Sequence, residues 1–206
     1  FELNKDSSLR IIDLFNDTSE KNFLNIFYNF SLKENAILKN YKVDKFENKN
    51  IKYSFNNIDQ EKNSISETFI LSSGSNFVKN EINCNLKGKY SSAFVNGILS
   101  LNNDKHHEIR SIINHLTENT KSYQLIKSVL EDSSKAAYQG KIFVHSNAQK
   151  TDGYQLSKAI LLNKDSEFNA KPELEIYADD VKCSHGSASG SLNEDSIFYL
   201  MSRGSV

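Results

Sequence analysis

A short apolar strand pattern recurs five times between residues 81 and 146 of this chain. The five segments read EINCNL at 81–86, NGILSL at 96–101, SIINHL at 111–116, LIKSVL at 125–130 and KIFVHS at 141–146. Their starts are fourteen to sixteen residues apart, a period too short for a helical hairpin. Such spacing is typical of a β-solenoid, in which the inward residues of each coil stack on those of the next. The pattern therefore predicts an all-β chain folded as a parallel β-helix.

Polar corners recur between these strands. Three of them, at 32–38, 101–109 and 162–168, each run from a leucine through polar residues back to an apolar residue. The alternative, an antiparallel sandwich, needs hairpin turns, but Asn-Gly and Asp-Gly occur only at 96–97 and 152–153. The 25 asparagines suit a fold with many tight corners, because asparagine tolerates left-handed backbone angles.

Composition narrows the classes of function. The chain has 206 residues, a net charge of -1 and 22 lysines against 3 arginines without a dense basic run, which argues against nucleic acid as a partner. No run of eighteen apolar residues is present, so no membrane span is expected. The start of the sequence lacks the features of a secretory signal, and two cysteines make no disulfide framework. We therefore expect a cytoplasmic protein.

The predicted organisation is a β-helix core over residues 1–191 followed by the beginning of a helical segment over 192–206. The absence of an initiator methionine and the abrupt end suggest a piece of a longer protein. The helical expectation depends on an N-cap, acidic residues in the first turn, an apolar stripe and a terminating glycine. These are Asn193, then Glu194 and Asp195, then Ile197, Leu200 and Met201, and finally Gly204.

The most particular stretch is 172–186, which holds the only proline, Cys183 and His185. Residues 174, 176 and 178 are apolar and share one face of an extended strand. Asp179-Asp180 then predicts a corner, after which Val181, Cys183 and His185 share a face. The spacing alone is a weak signal for a metal site, because zinc and iron sites usually need three or four protein ligands. A buried thiol beside a hydrogen-bonded histidine is the plain structural alternative.

Several linked motifs resemble the SufB/SufD family, scaffold subunits of the sulfur-mobilisation machinery that builds iron–sulfur clusters. They are AQKTD at 148–152, Tyr154-Gln155, Leu161-Leu162, the run KPELEIYADDVKCSHG at 171–186 and FYLMSRG at 198–204. The CSHG sequence at 183–186 resembles the SufD branch, since the SufB branch tends to carry CEHE there. The SASG sequence at 187–190 departs from the more usual ATVG.

The resemblance implies a right-handed parallel β-helix that pairs with a SufB homologue. It also implies binding to the SufC-type ABC ATPase through C-terminal helices that are largely missing here. The chain would be a non-enzymatic scaffold that shares a transient iron–sulfur cluster with its partner and holds none stably by itself. His185 would be the functional ligand at the subunit interface and Cys183 an auxiliary or structural residue, since thiolate and imidazole both suit iron.

Two other functions remain as alternatives. One is a SufD-like homodimer that recruits partners without touching the cluster. The other is a secreted-type β-helix polysaccharide lyase or hydrolase using clustered carboxylates such as Asp179-Asp180. The absence of tryptophan and the few arginines argue against the second alternative. The sequence also contains no phosphate-binding loop, so we expect no ATP hydrolysis by this chain.

No metal site is predicted at the remaining histidines or at Cys84. His106 and His107 are adjacent, so on a strand they cannot face one ion, and we expect them at a solvated corner. His115 and His145 each lie next to an apolar strand residue and are expected to face outward. Cys84 shares the phase of Ile82 and Leu86, which predicts a buried thiol.

Overall fold

The computed structural model describes residues 1–15, 22–191, 198–199 and 201–204. Within these ranges the chain forms fourteen β-strands. The strands are β1 Glu2–Leu3, β2 Ser8–Phe15, β3 Phe23–Leu32, β4 Ile37–Asp44, β5 Ile51–Gln60, β6 Ile65–Ser72, β7 Phe77–Leu86, β8 Ser92–Leu101, β9 His106–His115, β10 Lys121–Leu130, β11 Lys135–Val144, β12 Thr151–Leu161, β13 Glu167–Ile176 and β14 Val181–Ser191.

These strands build two seven-stranded sheets, which we call the odd sheet and the even sheet after the strand numbers. In both sheets the strands follow chain order, each paired in parallel with the strand two positions earlier and two positions later. Every turn therefore contributes one strand to each sheet. This arrangement is a parallel β-solenoid of about six turns and confirms the predicted all-β class.

The five strand segments quoted from the sequence lie in β7 to β11. Because consecutive strands belong to different sheets, the sequence period of fourteen to sixteen residues is half a turn. A full turn takes 26 to 32 residues, as the register pairs Ile51↔Phe77 and Lys135↔Glu167 show. Adjacent turns thus align residue for residue despite small differences in length.

Left-handed residues are most regular at the corners that lead from the odd sheet to the even sheet, although Asn103 and Asp132 adopt the same φ at two corners of the other kind. Six consecutive corners each contain one non-glycine residue with positive φ: Asp6, Asn35, Asn63, Tyr90, Asn119 and Lys150. At most of these corners the next residue is serine or threonine, whose hydroxyl donates to a carbonyl three residues earlier, as from Ser64 to Glu61 at 2.6 Å. Asparagine is the residue that best tolerates this backbone conformation apart from glycine. The abundance of asparagine is therefore explained in part by the corners.

Strict alternation of side chains places every second residue in the solenoid interior. One interior ladder of the odd sheet is apolar throughout its buried part and runs through Phe30, Ile58, Cys84, Ile113, Ile142 and Leu174. Burying each large aliphatic side chain stabilises the fold by roughly 1.5–3 kcal/mol. Cys84 is 1% exposed and lies inward with Ile82 and Leu86, as predicted.

The first turns also enclose charge. Lys42 Nζ lies 3.3 Å from the Asp13 carboxylate and 3.1 Å from Ser54 Oγ inside the solenoid. The pKa of Lys42 is lowered to about 8, because burial disfavours the ammonium more than Asp13 favours it. Buried polar groups of this kind are tolerated only when they are paired. The N-terminal part of the core therefore contains a buried ion pair beside its apolar residues.

Beyond the last strand, Phe198, Tyr199, Met201 and Ser202 have helical backbone, and the Arg203 N–H donates to the Tyr199 carbonyl at 3.2 Å. Gly204 follows with φ of 80°. The expected N-cap Asn193, first-turn Glu194 and Asp195, and stripe residues Ile197 and Leu200 lie outside the described residues. In the part of the chain that is described, no helix has the length and apolar character to span a bilayer.

Candidate functional site at the last turn

The last turn consists of β13, a corner at residues 177–180 and β14. β13 pairs only with β11 and β14 only with β12, so within the described residues each has one free edge. The inward faces of these two strands have no further turn stacked on them. The end of the solenoid is thus both an open core and a pair of unpaired strand edges.

The alternation predicted for this stretch is confirmed. Leu174 and Ile176 align with the buried residues Ile142 and Val144 of the turn below, although Ile176 is 38% exposed at the open end; Tyr177 is 61% exposed. The predicted corner at Asp179-Asp180 is a bend between the strands. It is tied to the previous corner by the backbone N–H of Asp180, which donates to Gln149 Oε1 at 2.9 Å.

Cys183 lies on the inward face of β14, opposite Gly153 of β12. Its Sγ is 3.3 Å from the point that a Cβ on Gly153 would occupy, and it packs beside the small apolar cluster of Ile142, Val144, Ala148 and Ala178. Partial burial raises the pKa of the thiol, and a hydrogen bond with the Gly153 backbone only partly opposes this effect. Cys183 is therefore a protonated, half-buried thiol at neutral pH.

His185 follows on the same face of β14, opposite Gln155 of β12, but it is exposed. Period-two alternation places Cys183 and His185 on one face, as expected from the sequence. Their environments differ, because Cys183 rests on the apolar cluster and His185 lies over a buried amide. Gln155 is 0% exposed and belongs to a polar group in the interior that the sequence analysis did not identify.

A surface cleft of about 360 Å³ runs along the corner next to β14. It is lined by Lys150, Thr151, Asp152, Asp180, Val181 and Lys182. The two lysines and two aspartates balance in charge, so the cleft has no strong preference for anions or cations. The cleft is relevant because it borders the strand that carries Cys183 and His185.

No group of three or more histidine, cysteine, aspartate or glutamate residues within the described ranges is arranged to hold a metal ion. The residues of the last turn fit an iron species only as part of a ligand set, with His185 as a borderline nitrogen ligand and Cys183 as a soft sulfur ligand. Within the described residues, Cys183 and His185 alone provide fewer ligands than the three or four that zinc and iron sites usually need.

Two expectations for the other histidines are wrong. His106 and His107 begin β9 instead of forming a solvated corner, and His107 is fully buried, with Nδ1 2.8 Å from Ser72 Oγ and Nε2 2.7 Å from the Ser75 carbonyl. His115 is also fully buried instead of facing outward. The physical reason is that hydroxyl and carbonyl partners inside the solenoid satisfy both imidazoles.

Other expectations for the histidines are confirmed. His106 faces away from His107, and its ring packs edge-on against Phe77 with centroids 5.3 Å apart. His145 is exposed just after β11. Within the described residues, neither of these surface histidines joins Cys183 and His185 in a group that could hold a metal ion.

Comparison with known families gives one match across nearly the whole chain. The family described as "SUF system FeS cluster assembly, SufBD core domain" matches residues 1–205. The chain is 36% identical over 139 residues to the iron-sulfur cluster assembly protein SufD of Escherichia coli, a match covering 68% of this chain and 32% of that protein.

Two further relatives match shorter parts. An iron-sulfur cluster assembly SufBD family protein of Synechocystis is 43% identical over 81 residues, which is 39% of this chain and 18% of that protein. A chloroplastic protein of Arabidopsis thaliana is 45% identical over 84 residues, or 40% of this chain and 18% of that protein. The matched part of this chain thus spans a third or less of the length of each of these relatives.

Proposed function

Because the chain belongs to the SufBD core family of the SUF iron–sulfur cluster assembly system, we propose that it is a SufD-like, non-catalytic scaffold subunit. The observation that carries this proposal is the open last turn, where Cys183 and His185 share a face beside two free strand edges. A scaffold that contributes part of a ligand set needs such an incomplete, accessible end. A polysaccharide lyase or hydrolase is disfavoured by the family assignment.

His185 is the ligand in this proposal, and Cys183 has an auxiliary role. The exposed imidazole can present a nitrogen lone pair without rearrangement of the fold. The thiol of Cys183 must first lose a proton whose pKa is raised by burial, and metal binding itself can drive that loss. The nascent iron–sulfur cluster is then cargo shared with a partner, and no cluster is held stably by this chain alone.

The partner in the proposal is a SufB homologue that adds strands to the free edges of β13 and β14. Exposed strand edges are templates for pairing with another chain. A second copy of this chain is the alternative partner at the same edges. Binding to a SufC-type ATPase is assigned to residues 192–206, where the sequence predicts the beginning of a helical segment. The β-helix core over 1–191 then has the scaffold role.

The cytoplasm is the compartment that we propose. Cys84 and Cys183 are free thiols, which is the state that a reducing compartment maintains. Neither nucleic acid nor a membrane is part of the proposal.

The test is cluster maturation in cells that lack their own SufD and that co-express this protein with SufB and SufC homologues. We expect His185→Ala to lower the activity of a reporter iron–sulfur enzyme at least tenfold while the complex still assembles. His106→Ala is the matched control, since His106 is a partly exposed histidine on the outward face of β9. It should leave maturation unchanged.

Unchanged maturation in the His185→Ala strain would remove His185 as a ligand and favour the recruitment role of a homodimer. Loss of maturation together with loss of the complex would point to a structural role instead. Size-exclusion chromatography of the co-purified subunits separates these outcomes.

A further inference from the structure

A pocket of about 310 Å³ opens on the outward face of the even sheet, across strands β4, β6 and β8. Aromatic rings, a carboxylate and a short amide form its walls. The residues that line it are Tyr41, Glu67, Thr68, Phe69, Phe94 and Asn96. Cys183 and His185 lie on the inward face of β14, three strands from β8 in this sheet. The pocket is therefore separate from the candidate site at the last turn.

The alternation of side chains turns the three rings of this pocket outward. The residues on either side of each ring are buried, whereas the rings themselves are partly exposed. The register places Tyr41 beside Phe69 and Glu67 beside Phe94 on adjacent strands. Two neighbouring columns of outward side chains thus bring the rings and the carboxylate to one place.

The rings of the pocket stand apart from one another. Aromatic residues that are register neighbours usually interact across strands, and Tyr123 and Tyr154 on the same face do so, with stacked rings and centroids 5.2 Å apart. Tyr41 and Phe69 are register neighbours too, yet within the described residues neither makes a ring contact. The space that stacking would fill is instead part of the pocket.

The pocket also has a negative charge with one free oxygen. Lys39 Nζ lies 3.2 Å from Glu67 Oε2, but both side chains are partly exposed, so the pair is weak. Glu67 Oε1 has no hydrogen-bond or ion-pair partner in the part of the chain that the structure describes. Asn96, beside Phe69 in the register, adds a short amide that leaves the space open.

Aromatic faces combined with a carboxylate favour organic cations as ligands. The face of an aromatic ring is negative in its quadrupole and attracts an ammonium or guanidinium group. Several rings around a small cavity are the arrangement with which proteins recognise choline and methylated lysine. A neutral aliphatic group could fill the same space but would not use the carboxylate, and an anion would be repelled by it.

We propose that this pocket binds an alkylated ammonium group, held against the rings of Tyr41, Phe69 and Phe94 and balanced by the carboxylate of Glu67. A small molecule and a methylated lysine side chain of a partner protein are two sources of this one chemistry. The volume of about 310 Å³ is within the range of small-ligand pockets and admits a group of the size of choline.

Titration of the purified chain, followed by NMR, tests the site. The two probes are choline and dimethylbutanol, its neutral analogue in which carbon replaces the quaternary nitrogen, so that the shape is kept and the charge is removed. We expect choline to bind at least about tenfold more tightly than dimethylbutanol. The methyl proton signals of choline should shift upfield, because ring currents shield protons that are held against aromatic faces.

Two variants assign the binding to this pocket. Phe69→Leu keeps an apolar side chain and removes one ring, so it should weaken choline binding at least about threefold. Glu67→Gln removes the charge with little change in shape, and it should weaken choline binding and leave dimethylbutanol unaffected. Tyr154→Leu is the matched control, because Tyr154 is an outward ring of the same sheet that lies outside the pocket. It should leave choline binding unchanged.

A blocked tripeptide that contains trimethyl-lysine separates the two sources. Tighter binding of the tripeptide would assign the pocket to a partner protein, and tighter binding of choline would assign it to a small molecule. Equal binding of choline and dimethylbutanol by the wild-type chain would overturn the proposal even if no variant folded. Failure of both cations to bind would also overturn it, as would an unchanged affinity for choline in both Phe69→Leu and Glu67→Gln.

Discussion

His115 Nε2 lies 2.9 Å from Ser122 Oγ, and this bond joins β9 of the odd sheet to β10 of the even sheet inside the solenoid. The other ring nitrogen lies 2.7 Å from Thr120 Oγ1. Hydroxyl groups can donate or accept, so they satisfy a neutral imidazole completely. Burial lowers the pKa of His115 to about 3 and is also the main cause that lowers the pKa of His107 to about 4.

Stability should therefore fall on mild acidification. Histidine in the unfolded chain has a pKa of about 6.5, so below that pH the unfolded state binds protons that the folded state excludes. The free energy of unfolding should decrease from pH 6.5 toward pH 4, by about 2 kcal/mol per buried histidine at pH 5. Urea unfolding at pH 7.5 and pH 5 measures this loss.

Between these two pH values the wild type should lose stability through two buried histidines. The variant His115→Gln retains one of them and should therefore lose roughly half as much. His145→Gln, at an exposed site, is the control and should behave like wild type. The same loss in all three proteins would show that buried histidines do not cause the pH dependence.

Removal of one partner of the Lys42–Asp13 ion pair should lower the free energy of unfolding, whereas replacement of both residues by apolar ones should change it little. Their side chains are 3% and 15% exposed, so Lys42→Met leaves a carboxylate largely buried without its partner. We expect a loss of roughly 3 kcal/mol in the free energy of unfolding. The double variant Asp13→Leu/Lys42→Met should lie within about 1 kcal/mol of wild type.

Lys39→Met is the matched control for this pair. Lys39 lies on the same strand and forms an exposed ion pair with Glu67 at 3.2 Å. Its loss should cost less than about 1 kcal/mol in guanidinium unfolding. Equal costs for Lys39→Met and Lys42→Met would refute the distinction between surface and interior charge.

Gly88→Ala should destabilise the fold strongly. A Cβ at this position would overlap backbone atoms of Glu61 and Lys62 in the neighbouring corner, and a backbone cannot move aside as the end of a side chain can. We expect a cost of about 3 kcal/mol by thermal or urea unfolding. Gly190→Ala has no atom within 4 Å of the new methyl group and should be tolerated. If Gly88→Ala left the stability unchanged, the backbone of the neighbouring corner would have to move away from the new methyl group, and the prediction would be wrong.

The two thiols should differ in reactivity toward a disulfide reagent such as dithionitrobenzoate. Cys84 is fully buried and burial raises its pKa to about 12, so it should react only after unfolding in urea. Cys183 is half-buried and should react slowly in the native chain, at a rate that rises with pH because its pKa is also raised. Cys183→Ser should abolish the native reaction. Reaction of both thiols in the native chain, or of neither, would contradict this assignment.

The free edge of β14 should control association. Charged side chains on an edge strand oppose pairing with another strand. We expect Ala188→Lys, on this exposed edge, to lower the fraction of dimer or of complex with a SufB homologue in sedimentation experiments. Ser100→Lys, an exposed position on the inner strand β8, is the control and should leave association unchanged.

The solenoid could be predicted from the sequence because its strands repeat at nearly constant spacing. The inward phase of individual strands was harder to predict. In β9 both Ile112 and Ile113 are apolar, so the sequence does not reveal which of them is inside. The decision depends on hydroxyl partners of His115 that come from the following corner and strand, and a pattern within one strand cannot include them.

At the candidate site, the shared face of Cys183 and His185 followed from alternation alone. Their unequal exposure did not, because it depends on Gly153 lying beneath one residue and Gln155 beneath the other. The burial of Gln155 was also missed. The inward positions of β12 are Thr151, Gly153, Gln155, Ser157 and Ala159, so no apolar stripe marks the inward face of this strand.

The recurrent left-handed corner makes one turn of this protein an interchangeable unit. Residues 35, 63, 90, 119 and 150 repeat the same backbone conformation at intervals close to one turn. Insertion or deletion of a segment from one such residue to the next would preserve the register of both sheets. Each added turn would lengthen the molecule by about 4.8 Å, the spacing of paired strands. Gene-level duplication of turns could thus change the reach of the scaffold in fixed steps while the chemistry of its end stays the same.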